Sequence, residues 1–170
     1  MKRLLAVIDM QNDFIDGALG SPEAQAIVNR VVNKVKACQE AGDEVVFTMD
    51  THDEDYLETQ EGKKLPVEHC IKGSDGWQLN EKLDEFAGLR FKKHTFGSRK
   101  LAKYIKHGSY DEVELIGLCT DICVISNALL IKAFSPETSI VVDSACCAGV
   151  TPASHLTALE AMKVCQVEVR

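Results

Sequence analysis

Three side chains that together could perform nucleophilic chemistry lie far apart in the sequence: Asp9, Lys93 and Cys123. A cysteine attacks as its thiolate, which a nearby ammonium favours, and a carboxylate can take the thiol proton and return it to a leaving amine. Segment 112–128 has the pattern of a buried strand, a short turn and a helix, and it places Cys123 in the first helical turn, where unpaired N–H groups favour negative charge. The three residues predict a cysteine hydrolase.

The turn before this helix offers further chemistry through its backbone. The N–H groups of Cys119 and Cys123 could hold the oxyanion that forms when a substrate carbonyl becomes tetrahedral. Cys119 is four residues from Cys123, which differs from the spacing of a redox dithiol, so we expect it to pack. Taken singly, a buried cysteine, an acid at a strand end and a solvated lysine are all ordinary structural features.

A second constellation could bind a metal. Asp50 and His52 are two residues apart, and His69 lies at the far end of the polar segment 51–76. One carboxylate and two imidazoles suit a divalent ion such as zinc, iron or manganese. The two histidines could equally be ordinary loop residues, because no short H-x-x-x-H spacing supports a metal site.

The elements that must position these residues follow from hydrophobic periodicity. Continuous apolar runs, typical of strands covered on both faces, alternate with helical patterns. The predicted strands are 4–8, 44–49, 89–91, 113–117, 139–142 and 164–169, and the predicted helices lie between Ser21 and Gly42 and at 79–86, 100–106, 123–134 and 152–163. The alternation predicts an α/β fold with a three-layer, doubly wound, mostly parallel sheet of about six strands and helices on both faces.

Such a sheet binds ligands beyond the carboxyl ends of its strands. Asp9, Asp50, Lys93 and Cys123 each follow a different predicted strand, so one crevice could hold them all. Residues 51–76 are predicted to form a long functional loop with little regular structure.

Composition limits the class of protein. The 170 residues (18.7 kDa) predict a single domain, and the net charge of −7 opposes binding to nucleic acid. The N-terminal apolar run is too short for a signal peptide or a membrane span, which favours a cytoplasmic protein. The seven cysteines have no zinc-ribbon spacing and suit a reducing compartment.

The motifs resemble those of the isochorismatase-like cysteine hydrolases and, within them, the nicotinamidase and pyrazinamidase group. The resemblance covers nearly the whole chain and rests on IDMQNDF at 8–14, DTH at 50–52, LPVEHCIKGSDGW at 65–77, FKKHTFGS at 91–98 and GLCTDICV at 117–124. It implies a catalytic Asp9, Lys93 and Cys123, with Lys92 as the rival lysine. It also implies an oxyanion hole from the N–H groups of Cys119 and Cys123.

Further implications concern the metal and the backbone. The resemblance implies a cis peptide between Leu118 and Cys119, and a divalent ion, most simply zinc, on Asp50, His52 and His69. It implies that this ion can hold a substrate ring nitrogen. Glu61 matches a fourth ligand found in some members, and Glu58 is the alternative. A homo-oligomer is expected by resemblance alone.

Two departures bear on the substrate. Leu65 stands where nicotinamidases often carry an aromatic residue before the loop proline, and one extra residue separates Pro66 from His69. Phe14 is the other expected pocket wall. The function expected is hydrolysis of the C–N bond of a small carboxamide through a thioester, with release of ammonia. The alternatives are hydrolysis of an N-carbamoyl compound or a vinyl ether, or binding of a small molecule without catalysis.

Overall fold

The computed structural model describes residues 1–170 and contains one six-stranded sheet. Its strands are β1 (Arg3–Ile8), β2 (Glu44–Asp50), β3 (Leu89–Lys93), β4 (Glu112–Leu118), β5 (Ser139–Ala148) and β6 (Glu168–Val169). They are arranged in the order β3-β2-β1-β4-β5-β6, and every neighbouring pair is parallel. The α/β fold is therefore confirmed, and the sheet is parallel throughout rather than mostly parallel.

Helices cover both faces of this sheet. They are α1 (Asn12–Ile15), α2 (Pro22–Glu40), α3 (Gln60–Lys64), α4 (Glu81–Asp84), α5 (Arg99–Gly108), α6 (Ile125–Phe134) and α7 (Pro152–Val164). Alternate residues of β1 divide between two apolar cores: Leu5 and Val7 pack with α2, whereas Leu4, Ala6 and Ile8 pack with α5, α6 and α7. The three layers and the doubly wound topology follow from this division.

The order in which successive strands are added to the sheet reverses between β1 and β4. After β1 the chain builds β2 and β3 on one side, and it then returns to place β4 on the other side of β1. This reversal opens a crevice beyond the carboxyl ends of the two strands. Gly117 permits their close approach there, because a Cβ atom at its φ of +115° would lie 2.2 Å from the Ile8 carbonyl oxygen.

Segment 51–76 has little regular structure, as expected, although it contains a 3₁₀ turn (Tyr56–Glu58) and the short helix α3. Several predicted boundaries are wrong. The predicted strand 139–142 continues to Ala148 because β5 resumes pairing with β4 after a shift in register. The predicted strand 164–169 shrinks to two residues because α7 runs to Val164.

No helix is both long and apolar enough to span a membrane.

Candidate active site

Asp9, Lys93 and Cys123 meet in the crevice, and we call them the thiol cluster. Lys93 Nζ lies 2.6 Å from Asp9 Oδ2 and 3.4 Å from Cys123 Sγ. None of the three is more than 5% exposed. Residues separated by 30 to 114 positions in the sequence thus form one buried group of a carboxylate, an ammonium and a thiol.

Asp9 sits where the chain leaves the sheet. Its φ of 46° lies in the left-handed region, which aspartate tolerates better than most residues. Thr48 Oγ1 donates to Asp9 Oδ1 at 2.6 Å and accepts from the Asp9 N–H at 3.1 Å. Asp9 Oδ2 is fully buried and lies 2.6 Å from the Lys93 ammonium, and no other donor is in hydrogen-bonding geometry with it.

The structure distinguishes the two candidate lysines. Lys93 ends β3 with its side chain buried in the crevice, where its ammonium also lies 3.2 Å from Asp50 Oδ1. Lys92 is exposed and places its ammonium 4.9 Å from the centre of the Trp77 ring. The alternation of side chains along a strand separates these neighbours, and only Lys93 belongs to the cluster.

Cys123 lies in a π-helical turn (Thr120–Val124) ahead of α6, and not in the first turn of an α-helix as predicted. The carbonyl of Cys119 accepts from both the Ile122 and the Val124 N–H. The peptide between Leu118 and Cys119 is cis. The buried Thr120 hydroxyl, 2.7 Å from His155 Nδ1, ties this turn to α7.

Burial dominates the electrostatics of the cluster. Burial raises the pKa of the Cys123 thiol, the Asp9 charge adds to the rise, and the Lys93 ammonium only partly opposes it. Burial also raises the pKa of Asp9 against the influence of Lys93. Lys93 thus lowers the pKa of Cys123, as expected, but burial raises it by more.

Asp50, His52, Glu61 and His69 form a second group, the metal group, beside the thiol cluster. One donor atom from each lies within 4.8 Å of the others. His52 Nε2 is 3.0 Å from Asp50 Oδ2, and Glu61 Oε1 is 3.7 Å from Nε2 of both histidines. Glu61, from the first turn of α3, therefore joins the group, whereas Glu58 is exposed and lies outside it.

These four side chains fit a divalent ion. Metal–ligand bonds of about 2.1 Å separate adjacent donor atoms by about 3 to 3.5 Å, close to the spacings found here. His69 Nδ1 lies 2.8 Å from the Val67 carbonyl oxygen. This contact favours the tautomer with the proton on Nδ1, so the Nε2 lone pair is available to a metal ion. Burial alone would raise the pKa of Asp50, but His52, His69 and Lys93 lower it and keep the carboxylate charged.

The IDMQNDF segment anchors the metal group as well as supplying Asp9. Gln11 donates to the Asp50 carbonyl at 2.8 Å and accepts from the Asp50 N–H at 2.7 Å. Asp13 Oδ2 accepts from the Cys70 N–H at 2.7 Å and so fixes the backbone next to His69. Gly76 leaves room for this contact, since a Cβ there would lie 2.1 Å from Asp13 Oδ2.

A cavity of about 880 Å³ opens onto both groups. Cys119 and Cys123 line its floor, and both predicted wall residues, Phe14 and Leu65, line its sides. The Phe14 ring is buried with its centre 5.5 Å from that of His69, whereas Leu65 is 38% exposed at the mouth. The volume is sufficient for a substrate larger than a simple carboxamide.

Sequence reasoning missed several residues that hold the site together: Gln11, Asp13, Tyr56 and Asn127. Tyr56 is fully buried, packs edge-on against His52 and His69, and donates to the Leu65 carbonyl at 2.9 Å. Gln11 and Asp13 had a signal in the IDMQNDF motif, and Asn127 had one as a polar amide one helical turn after Cys123.

The fold and these two groups define a class: a doubly wound α/β protein whose switch-point crevice combines an acid, a lysine and a thiol with a candidate metal group. The chain belongs to the isochorismatase family, whose Isochorismatase domain matches residues 3–170.

The similarity to other proteins extends over nearly the whole chain. A nicotinamidase/pyrazinamidase of Mycobacterium tuberculosis is 28% identical, over 98% of this chain and 97% of its own. The crystal structure of a nicotinamidase/pyrazinamidase from Bacillus subtilis has a TM-score of 0.84 at 31% identity and covers 99% of each chain. The structure of a Pyrococcus horikoshii pyrazinamidase in complex with zinc has a TM-score of 0.86 at 27% identity, covering 100% of this chain and 99% of its own.

Proposed function

We propose that this protein is a cysteine amidase that cleaves the C–N bond of a small carboxamide, with nicotinamide as the model substrate, and releases ammonia. The observation that carries the proposal is the contact of Lys93 Nζ with both Asp9 Oδ2 and Cys123 Sγ inside a buried crevice. The similarity to nicotinamidases and pyrazinamidases supports the amide as the bond that is cleaved.

Asp9 is the general base of the first step. Its Oδ2, whose one close partner is the Lys93 ammonium, takes the Cys123 thiol proton while the sulfur attacks the amide carbon. Burial raises the pKa values of both Asp9 and Cys123. Because the proton moves from one of these groups to the other, the total charge of the pocket is unchanged by the transfer. Lys93 stabilises whichever of the two groups carries the negative charge.

The tetrahedral intermediate places negative charge on the former carbonyl oxygen. The N–H groups of Cys119 and Cys123 are the proposed donors to it. The Cys119 N–H donates to no backbone carbonyl of the protein, which leaves it available to a ligand. Its position at the cavity floor, beside Cys123, suits this role.

The intermediate collapses when protonated Asp9 returns its proton to the nitrogen, the C–N bond breaks and ammonia leaves. A thioester between the acyl group and Cys123 remains. Water, deprotonated by Asp9, then attacks the thioester carbon, and the carboxylic acid leaves as the thiol is restored. Each proton taken up by Asp9 is thus returned within the cycle.

Asp50, His52, Glu61 and His69 would hold a divalent ion, for which the zinc complex of the Pyrococcus relative makes zinc the first candidate. When bound, it would supply a Lewis-acid position for a substrate lone pair such as a pyridine nitrogen. Phe14, packed against His69, would then lie along one side of the ring.

The test is ammonia release from a panel of nicotinamide, pyrazinamide, benzamide and an N-carbamoyl amino acid. We expect turnover of the ring carboxamides and its loss in Cys123→Ala, with the exposed Cys165→Ala as the matched control that keeps parent activity. Undiminished turnover by Cys123→Ala would refute the mechanism. Release of ammonia from the N-carbamoyl compound alone would move the assignment to that class. Binding of a panel compound without any turnover would show that this protein binds a small molecule but does not catalyse its hydrolysis.

A further inference from the structure

We propose that Asn127 is a positioning residue that fixes one wall of the substrate cavity relative to the Cys123 sulfur. The inference rests on the proposed function of this cavity and adds to it a residue outside the thiol cluster and the metal group. Asn127 lies in α6, four positions after Cys123, and is fully buried.

The Asn127 amide joins two separate segments of the chain. Its Nδ2 donates to the carbonyl of Cys123 at 2.8 Å and to the carbonyl of Phe96 at 3.1 Å. Its Oδ1 accepts from the Ser98 N–H at 2.9 Å. Both amide protons and the oxygen therefore have partners, and these partners belong to two segments that line the cavity through Cys123 and Phe96.

One side of this link is the turn that carries the nucleophile. The carbonyl of Cys123 is part of the same residue as the reacting sulfur, so a displacement of this carbonyl moves the thiol with it. A misplacement of about 1 Å in a catalytic site is enough to cost on the order of a hundredfold in rate.

The other side is segment 94–98, which begins directly after Lys93. His94, Thr95 and Phe96 of this segment line the cavity, and Phe96 is 45% exposed. The Thr95 hydroxyl donates only within the segment, to Gly97, and the Ser98 hydroxyl caps its own helix α5. The side-chain hydrogen bonds that connect segment 94–98 to the nucleophile's helix thus all come from Asn127.

A positioning role predicts more than a loss of stability. If Asn127 fixes the position of segment 94–98 relative to the Cys123 sulfur, its replacement should change the reactivity of Cys123 in protein that is still folded. If it only satisfies buried carbonyls, replacement should lower the melting temperature and leave folded protein as reactive as the parent.

The experiment uses Asn127→Asp, which keeps the acceptor for Ser98 but loses both donors and adds a negative charge, and Asn127→Ser, which keeps one hydroxyl and adds no charge. A loss of reactivity in both variants is expected from a positioning role, whereas a loss in Asn127→Asp alone would be an effect of the added charge and would contradict that role. Asn80→Ala is the matched control, because the Asn80 side chain also accepts a hydrogen bond, from the Lys82 N–H at 3.2 Å, but caps α4 and contacts no member of the thiol cluster through a hydrogen bond. The two readouts are the site-resolved rate of Cys123 alkylation by iodoacetamide and kcat and KM for the best carboxamide of the panel, each measured well below the melting temperature of the variant.

We expect Asn127→Asp to lower both the Cys123 alkylation rate and kcat by about tenfold or more. Alkylation of the exposed Cys165 should stay at the parent rate and serve as the internal reference. Asn80→Ala should lower the melting temperature but change neither readout by more than about twofold.

Parent alkylation rate and kcat in folded Asn127→Asp would overturn the proposal and leave Asn127 a structural residue. If this variant does not fold, the same two readouts on Asn127→Ser decide, with the same outcomes. If the parent hydrolyses no carboxamide, the proposed function fails, but the alkylation rates still test the position of Cys123 because they need no substrate.

Discussion

The thiol cluster and the metal group share one cavity but are held in different ways. The thiol cluster depends on the strands: Asp9 and Cys123 follow β1 and β4, which pair with neighbours on both sides, and Lys93 ends β3, the edge strand that pairs with β2. The metal group takes only Asp50 from a strand, and its other three members come from segment 51–76. Side chains such as Gln11, Asp13 and Tyr56 hold that segment in place.

The difference separates two kinds of vulnerability. A substitution in the thiol cluster should remove chemistry and leave the sheet intact, because the backbone does not depend on these side chains. A substitution among the anchors of segment 51–76 should loosen the ligands and leave the thiol in place. The following changes test that separation, in order of decreasing effect.

Lys93→Met should reduce kcat by about 10²–10⁴-fold, because the ammonium that stabilises the charged forms of Asp9 and Cys123 is lost. It should also lower the melting temperature, since Asp9 and Asp50 remain buried without a cation. Steady-state kinetics and thermal unfolding measure the two effects. Lys92→Met is the control, and equal losses in both variants would contradict the assignment of Lys93.

Asp13→Ala should weaken zinc binding by about 10–100-fold, because the Cys70 N–H next to His69 loses its acceptor. Competition with a zinc-binding dye measures the affinity. Alkylation of Cys123 in the metal-free protein should be unchanged. A fall in that rate equal to the fall in affinity would show that the two groups are not held independently.

Tyr56→Phe should cost about 1 kcal/mol, through loss of one hydrogen bond to the Leu65 carbonyl. For a chain of this size the melting temperature should fall by about 2–4 °C. Faster amide exchange should appear in α3 and not in β1. Uniform acceleration across the sheet would contradict a local role for Tyr56.

Asp143→Asn gives the smallest effect and lies remote from both groups. Although burial by itself opposes it, Lys34 at 3.0 Å lowers the pKa of Asp143, with the Ala145 N–H also contributing. A carboxyl with a lowered folded pKa stabilises the protein above its unfolded value of about 3.9, and this stabilisation is lost as the pH falls through the folded pKa.

The free-energy difference between parent and Asp143→Asn should thus be about 1 kcal/mol or less at pH 7, since Asp143 is partly exposed, and should shrink below about pH 4. Urea unfolding at several pH values measures it. A difference that grows on acidification would reverse the expected sign.

The local hydrophobic pattern of the sequence was sufficient to predict most strands of the sheet. β1, β2, β4 and the first half of β5 have apolar runs that also mark the strand ends, which is why Asp9 and Asp50 were found from sequence. β3 has only Leu89 and Phe91 as apolar residues, so the choice of Lys93 over Lys92 depended on the resemblance of its motif. The second half of β5 was missed because residues 143–148 mix polar and small side chains and pair with β4 only after a register shift. That pairing is a long-range property.

The same limit applies to the site. Residue type and strand ends identified the thiol cluster, but the sign of the Cys123 pKa shift depends on burial, which a sequence does not reveal. The spacing of Glu61 from Pro66 marked a ligand only through resemblance, and its approach to both histidines depends on α3, which was not predicted. Gln11 and Asp13 act on backbone groups 39 and 57 residues away, a distance that carries no local pattern.

The side chain of Gln11 behaves toward Asp50 as a peptide unit would, since its oxygen and nitrogen bond to the N–H and C=O of that residue. It takes the place of the β1 residue that would otherwise pair with Asp50 of β2. The main chain is thereby free to turn away at Asp9 while the last residue of β2 keeps a full set of partners. One glutamine side chain thus lets β1 end before β2 does while the last residue of β2 stays hydrogen-bonded, and Asp9 lies at the point where β1 ends.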